Sequence, residues 1–128
     1  MRPAALVLMF TLCLFGCGRS DVPKEKYFGG EPVEHWLEAI KSPDPKVRKK
    51  AADVLGNVGP VDPRAVPALI EAVGDKDAKV RDAAVLGLSK VGPAASSAES
   101  ALEGATRDKD STVRAHAATA LGRVRGAE

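Results

Sequence analysis

The sequence has few aromatic residues, and its cysteines are confined to one end. Its rings are Phe10, Phe15, Tyr27, Phe28 and Trp36. So small a number disfavours a β-sandwich core or a ring-lined ligand pocket and, with abundant alanine, favours closely packed helices. Both cysteines lie within the first 17 residues, so the rest of the chain has no disulfide, thiolate nucleophile or cysteine-based metal site.

A strong excess of charge of one sign is also lacking. The 19 basic and 17 acidic residues are mixed along the chain and give a net charge of +2. No extended basic field results, so nucleic acid is not expected as a partner. The hydrophobic content of 45% is ordinary for a globular protein, which disfavours intrinsic disorder.

No apolar run is long enough to span a membrane comfortably. The longest, residues 4–16, has no charged side chain and follows Arg2. A spanning helix needs about 20 apolar residues, whereas a shorter run behind a positive charge is typical of a secretory signal peptide. We therefore predict a signal peptide over residues 1–16.

The end of this run resembles the lipobox of bacterial lipoproteins. Leu14 is the aliphatic residue, Gly16 the small residue and Cys17 the invariant cysteine, while Phe15 is larger than usual for its position. The resemblance implies cleavage after Gly16 and lipidation of Cys17. The chain would then be exported and anchored in the cell membrane or outer membrane of a bacterium. The alternative is an ordinary signal peptide in which Cys17 is incidental.

The next segment, residues 17–30, is polar, contains Pro23 and ends in two glycines. This composition predicts lipid attachment followed by a flexible tether. Tyr27 and Phe28 either pack under the first helix, which is the preferred interpretation, or lie at the membrane interface. The repeat domain is predicted over residues 31–128.

One pattern recurs every 33 residues through the remainder of the chain. Three Val-Arg pairs carry the spacing: Val47-Arg48, Val80-Arg81 and Val113-Arg114. The same register holds for an upstream aspartate and for downstream alanine, leucine and valine: Asp44, Asp77, Asp110; Ala51, Ala84, Ala117; Leu55, Leu88, Leu121; Val58, Val91, Val124. A period of this length indicates stacked supersecondary units.

Each unit carries the signals of a helix. Its aspartate can cap the first turn, and Val80, Ala84 and Leu88 lie on one apolar stripe at helical spacing. Gly59 and Gly92, each followed by proline, are expected to end helices in the left-handed conformation. Helices are expected near residues 32–41, 45–57, 63–73, 78–90, 95–106 and 111–124. The predicted fold is all-α, a short right-handed α-solenoid of antiparallel helix pairs with about three repeats.

The repeated pattern, D-x-x-V-R-x-x-A-A-x-x-L-G-x-V-G, resembles HEAT repeats of the type also seen in phycobilisome lyases, over residues 31–125. The resemblance implies a protein-binding scaffold without a cofactor and without catalysis. HEAT-type hydroxylases hold iron with His-Glu motifs, and no His-Glu dipeptide occurs in this sequence. A lyase-like protein acting on a chromophore-bearing protein is the minor alternative, because an exported lipoprotein would be in the wrong compartment for that substrate.

The repeated arginines have two interpretations. Arg48, Arg81 and Arg114 could form a basic recognition ladder on the surface. Pairing with aspartates of their own and adjacent repeats is preferred, because each arginine lies one residue from the apolar stripe. We expect weak surface ion pairs that help to fix the repeat register.

The sole tryptophan and the two histidines also have structural interpretations. Trp36 aligns with Leu69 and Leu102, so we expect it in the core and not in a ligand-stacking role. His35 and His116 share no repeat position, and neither has a second ligand-type residue at a suitable spacing. A metal site is therefore not expected.

The candidate partner-binding surface is a mildly acidic set of residues: Glu34, Glu38, Lys41, Glu71 and Glu103. Two of them, Glu38 and Glu71, align in the repeat, and a basic or polar partner would fit such a surface. Alternatively, these residues merely lie on solvated helix faces and do not form a binding surface.

The end of the array offers a second candidate surface. The last copy is expected to stop after Val124 without its second helix, which leaves Ala117, Leu121 and Val124 partly unpartnered. That edge could form a homodimer or bind a partner, unless the polar faces of the last helix are sufficient to cap the array. The predicted function is a membrane-tethered scaffold that binds an unidentified envelope protein, and a structural lipoprotein without a dedicated ligand is the alternative.

Overall fold

The computed structural model describes residues 27–126, and the predicted signal peptide and Cys17 lie outside this range. The helices are α1 (Val33–Ala39), α2 (Pro45–Val58), α3 (Ala65–Ala72), α4 (Ala78–Val91), α5 (Glu99–Ala105) and α6 (Ser111–Val124). A small antiparallel hairpin of β1 (Tyr27–Phe28) and β2 (Glu31–Pro32) precedes α1, and a 3₁₀ helix (Gly92–Ala98) precedes α5. The predicted all-α solenoid is confirmed.

The long helices begin where the repeated aspartates predict. Asp44 accepts a hydrogen bond from the Lys46 amide at 2.9 Å. The carboxylates of Asp77 and Asp110 each accept from the amides two and three residues ahead. These bonds satisfy amides that have no partner within the helix, so each start is set by one side chain.

The helices form two rows. The long helices α2, α4 and α6 lie side by side, and each short helix, α1, α3 or α5, packs on the long helix that follows it. The repeated stripe lies between the rows, with Ala51, Leu55, Ala84 and Leu88 fully buried. Burial of this continuous stripe is the main stabilising term in such a stack.

The expectation of an unpaired last helix is wrong. The third long helix, α6, packs on α5, which precedes it, so the described residues form three complete helix pairs. Ala117 and Val124 are buried and Leu121 is half-buried. The sequence predicts that each long helix pairs with the helix after it, whereas the packing pairs each long helix with the helix before it.

Two helix stops differ in mechanism, although both are Gly-Pro. Gly92 has a φ of +67°, the left-handed conformation that the sequence predicts. Gly59 has a φ of −50°, which is helical, so the expected left-handed stop is wrong there. A Cβ atom at Gly59 would collide with Val91. Glycine is needed at this position because the next long helix comes close.

The short helices depart most from expectation. α3 begins at Ala65 and not at residue 63, because Asp62 first forms a turn by accepting from the Arg64 amide at 3.0 Å. The helix expected over residues 95–106 is divided into the 3₁₀ helix and α5, with Ala95 in a non-helical conformation between turns.

The front of the stack is covered by the hairpin. Trp36 is 4% exposed, as its core alignment predicts, and its Nε1 donates to the Phe28 carbonyl at 2.7 Å. Phe28 packs partly against the core, whereas Tyr27 is 64% exposed. Residues 27–30, predicted as the end of a tether, thus belong to the folded domain, which begins before residue 31.

Close approach of the long helices generates a test of the stack. Gly56 and Gly122 occupy the same repeat position, but a Cβ on Gly56 would lie 2.6 Å from the Gly87 Cα, whereas nothing lies within 4 Å of one on Gly122. We expect Gly56→Ala to lower the free energy of unfolding by about 1–3 kcal/mol through overpacking. Gly122→Ala should raise it by up to about 1 kcal/mol through helix propensity. Urea denaturation measures both, and equal effects of the two substitutions would contradict this packing.

Candidate functional site

Two of the three repeated arginines join one helix pair to the next. The Arg48 guanidinium donates from Nε and Nη2 to both carboxylate oxygens of Asp75, at 2.8 and 3.1 Å. Its Nη1 donates to the carbonyls of Ser42 and Pro43, at 2.8 and 3.0 Å. One edge of the guanidinium is therefore held by its own repeat and the other by the following repeat.

Arg81 repeats this arrangement one unit later. Its Nε and Nη2 hold Asp108 at 2.8 and 3.0 Å, and its Nη1 donates to the carbonyls of Asp75 and Lys76. Pairing between repeats is confirmed for Arg48 and Arg81. We refer to Arg48, Arg81 and Arg114 as the arginine ladder.

The expectation that these pairs are surface ion pairs is wrong. The arginine side chains are 8% and 7% exposed, and those of Asp75 and Asp108 are 13% and 12% exposed. The following repeat covers each pair, which a sequence with no partner in view does not reveal. Because each pair is bidentate and buried, it requires a defined orientation of the two side chains as well as opposite charges.

The ladder shifts the ionisation of its members. The hydrogen bond from Arg81 is the largest effect on the pKa of Asp108 and lowers it. Burial is the largest single effect on the pKa of Asp75 and raises it, but hydrogen bonds from Arg48 and the Asp77 amide outweigh it, so the net pKa is also lowered. Both carboxylates are therefore stabilised in the charged form by the fold.

Arg114 has only half of these contacts. Its Nη1 donates to the carbonyls of Asp108 and Lys109, at 2.9 and 3.2 Å, as the other two arginines do in their own turns. Within residues 27–126, no carboxylate bonds to it, and its side chain is exposed. The Arg114 guanidinium is thus held by the carbonyls of its own turn but has no carboxylate partner within the described residues.

Most of the helix face around Arg114 is exposed as well, and only Gly122 is half-buried. We call it the open face of α6; it consists of Arg114, Ala115, Ala118, Thr119 and Gly122. At the positions of Ala118 and Gly122, α4 has Val85 and Ser89, both of which are buried, and α4 packs against α6. Among residues 27–126, this face, and not the stripe of Ala117, Leu121 and Val124, is the uncovered edge of the array.

The five residues predicted as a partner-binding surface lie on or beside the row of short helices. Glu34 pairs with Arg64 at 2.8 Å, and Glu38 lies 3.8 Å from Lys41. The hydrogen bond from Arg64 lowers the pKa of Glu34.

The remaining acidic residues of that set lie further along the same row. Lys41 and Glu71 line one groove of about 400 Å³ beside Arg48 and Asp75. Glu103 lies near the end of the array, where it and Glu99 both bind Arg125. The set is therefore distributed along the row, with Lys41 and Glu71 sharing a groove.

Neither histidine lies in an evident site. His116 Nδ1 contacts the Asp82 carboxylate and so links α6 to α4, while the His35 ring lies edge-on to Trp36 with centroids 4.9 Å apart. Across the described part of the chain, no three His, Cys, Asp or Glu residues cluster as metal ligands would. Over the same residues, no helix has the length and apolarity needed to cross a bilayer.

Comparison with known proteins gives one family. The family model for HEAT repeats matches residues 33–122, which includes all six helices nearly to the end of α6. A search among curated proteins finds no match.

The lowered pKa values of Asp75 and Asp108 predict acid sensitivity. A carboxyl with a lower pKa in the folded than in the unfolded state stabilises the fold above its unfolded pKa, and this contribution disappears as pH falls through the folded pKa. We therefore expect the free energy of unfolding to decrease below about pH 4. Urea titrations between pH 2 and pH 6 at constant ionic strength measure it.

The matched variant for this test is Asp108→Asn. It should be less stable than the wild type at pH 6, and the difference should shrink as the pH falls and the native carboxyl becomes protonated. A stability difference that is the same at both pH values would contradict the assignment.

Proposed function

Since the chain belongs to the HEAT-repeat family, we propose that it is a protein-interaction module without catalytic activity, tethered to the envelope membrane of a bacterium. The observation that carries the interaction role is the open face of α6: at the positions of Arg114, Ala118 and Gly122, both preceding long helices have buried residues. A repeat stack buries its apolar faces only against adjacent units, so an uncovered unit face is suited to a partner.

The tether is proposed from the lipobox resemblance at Leu14 to Cys17. The polypeptide enters the folded domain at the hairpin, beside α1 and at the opposite end of the stack from α6. A lipid on Cys17 would therefore attach at the front of the stack. The open face of α6 would then remain accessible at the far end.

A second proposed contact surface is the acidic set on the short-helix row. Glu38 is 80% exposed at its side chain, and Glu71 is exposed at the rim of the groove that it shares with Lys41. Carboxylates in this arrangement suit a basic or polar partner.

Affinity capture from envelope membranes tests the interaction role. We expect a partner in stoichiometric amount with the wild type and its loss, by about tenfold, with the double charge reversal Glu38→Lys and Glu71→Lys. Glu31→Lys, a charge reversal on an exposed hairpin residue, is the matched control and should retain the partner. Absence of any stoichiometric partner would instead support a structural lipoprotein, and a bound chromophore would support the lyase-like alternative.

The proposed membrane localisation is tested by Cys17→Ser. We expect this variant to leave the membrane fraction, because a thioether-linked lipid contributes about 0.8 kcal/mol for each buried methylene and its loss removes the anchor. Metabolic labelling with a fatty acid is the second readout. Retention of the variant at the membrane, together with unlabelled wild type, would contradict lipidation.

A further inference from the structure

The open face of α6 is the third copy of a surface that twice in this chain holds the turn of a following helix pair. Arg114 Nη1 is held by the carbonyls of Asp108 and Lys109, just as Arg81 Nη1 is held by those of Asp75 and Lys76. Within residues 27–126, no carboxylate pairs with Nε or Nη2 of Arg114, and the side chain is exposed. On Arg81 the same two nitrogens bind both oxygens of a carboxylate.

The rest of the face is shaped for a close neighbour. Ala118 and Gly122 take the positions of the buried Val85 and Ser89 on α4. Side chains this small let a helix backbone approach, and neither requires desolvation of a polar group. The open face has one cation and no carboxylate, so its charge complement is an acidic residue opposite Arg114.

In a head-to-tail stack, the described residues of a second copy do not supply that acidic residue at the matching turn. The turn at the front of the array has Ser42 where the later turns have Asp75 and Asp108. Ser42 Oγ accepts from the Asp44 amide at 3.2 Å, as the aspartates accept from their own turns, but it offers no carboxylate. The hairpin also covers this end at Trp36.

A two-fold symmetric dimer formed through α6 would not complement the charge of the open face either. It would bring two copies of the open face together, and each copy contributes Arg114 without an acidic residue. The like charges would meet where the repeat surface requires opposite charges. In either arrangement, the described residues of this chain supply no carboxylate to Arg114, which favours a helix pair of a different protein.

We propose that the open face of α6 binds a helix pair of another protein whose interhelical turn presents an aspartate to Arg114. The expected turn is of the Asp-x-Asp type that this chain uses at residues 75–77 and 108–110, where the first aspartate binds the arginine and the second caps the next helix. This inference rests on the proposed interaction role and specifies the chemistry of the partner.

The test uses the full chain and, as probe, a synthetic peptide with the sequence of residues 92–126, which carries the Asp-x-Asp turn and the helix surface that packs on α4. Calorimetry and the NMR signal of the Arg114 Nε–H group report binding. We expect saturable binding, with a shift of that signal. The Asp108→Asn peptide should bind about tenfold more weakly or worse, because a charge-assisted bidentate pair is lost.

Two variants of the full chain make the test specific. Arg114→Gln should weaken binding of the wild-type peptide about tenfold and bind both peptides equally. Arg107→Gln removes an exposed cation near the same end, and it should retain the preference for the aspartate peptide. Circular dichroism of each variant confirms that the fold is retained.

Three results would overturn the inference: no saturable binding, equal binding of both peptides by the wild type, or self-association of the full chain that Arg114→Gln abolishes. The last result would identify a second copy as the occupant. Capture of an envelope partner that is insensitive to Arg114→Gln but lost on reversal of Glu38 and Glu71 would leave the proposed function intact while this inference fails.

Discussion

A buried arginine is tolerated in this stack only where the next helix pair supplies its carboxylate. Removing a guanidinium from water is costly unless a counter-charge and hydrogen-bond acceptors replace the water. Arg48 and Arg81 obtain two carbonyls from their own turn and a bidentate aspartate from the next one. In both cases the aspartate follows the arginine by 27 residues. The same contact therefore recurs between successive helix pairs and constrains the position of each pair relative to the one before it.

Apolar burial and the ladder contribute differently to the same stack. Alanine, leucine and valine between the rows provide most of the stabilising free energy, but such contacts are non-directional and would tolerate a shift of one unit against another. The glycines at 56 and 87 allow α2 and α4 to come close enough for the ladder distances to be met. The ladder then selects one register among the packings that burial alone would allow.

The two ends of the described stack are treated differently. At the front, the hairpin and Trp36 cover the first helix pair. Ser42 lies at the repeat position of Asp75 and Asp108. Within the described residues, no arginine of a preceding repeat would pair with a carboxylate there. At the other end, Arg114 remains held by its own carbonyls without a carboxylate. Within the described residues, the front therefore presents no carboxylate at this turn, whereas the other end presents an arginine held only by carbonyls.

Features set by local hydrogen bonding within a repeat could be predicted from the sequence, and features set by tertiary contacts could not. The aspartate caps and the start of α6 at Ser111 follow from local hydrogen bonding, so a single sequence contains them. The hairpin depends on the Trp36 indole finding the Phe28 carbonyl, which is a tertiary contact without a periodic signal. The burial of the ladder depends on what a neighbouring unit covers. The spacing from Arg81 to Asp108, which equals that from Arg48 to Asp75, was the available signal for it.

The central claim is that the arginine–aspartate pair couples one helix pair to the next, and a double-mutant cycle measures that coupling directly. The cycle compares the unfolding free energies of the wild type, Arg81→Gln, Asp108→Asn and the double variant at neutral pH. We predict a coupling free energy of about 1 kcal/mol or more, with the double variant much less destabilised than the sum of the single ones. Additive effects, with a coupling within about 0.3 kcal/mol of zero, would contradict the account.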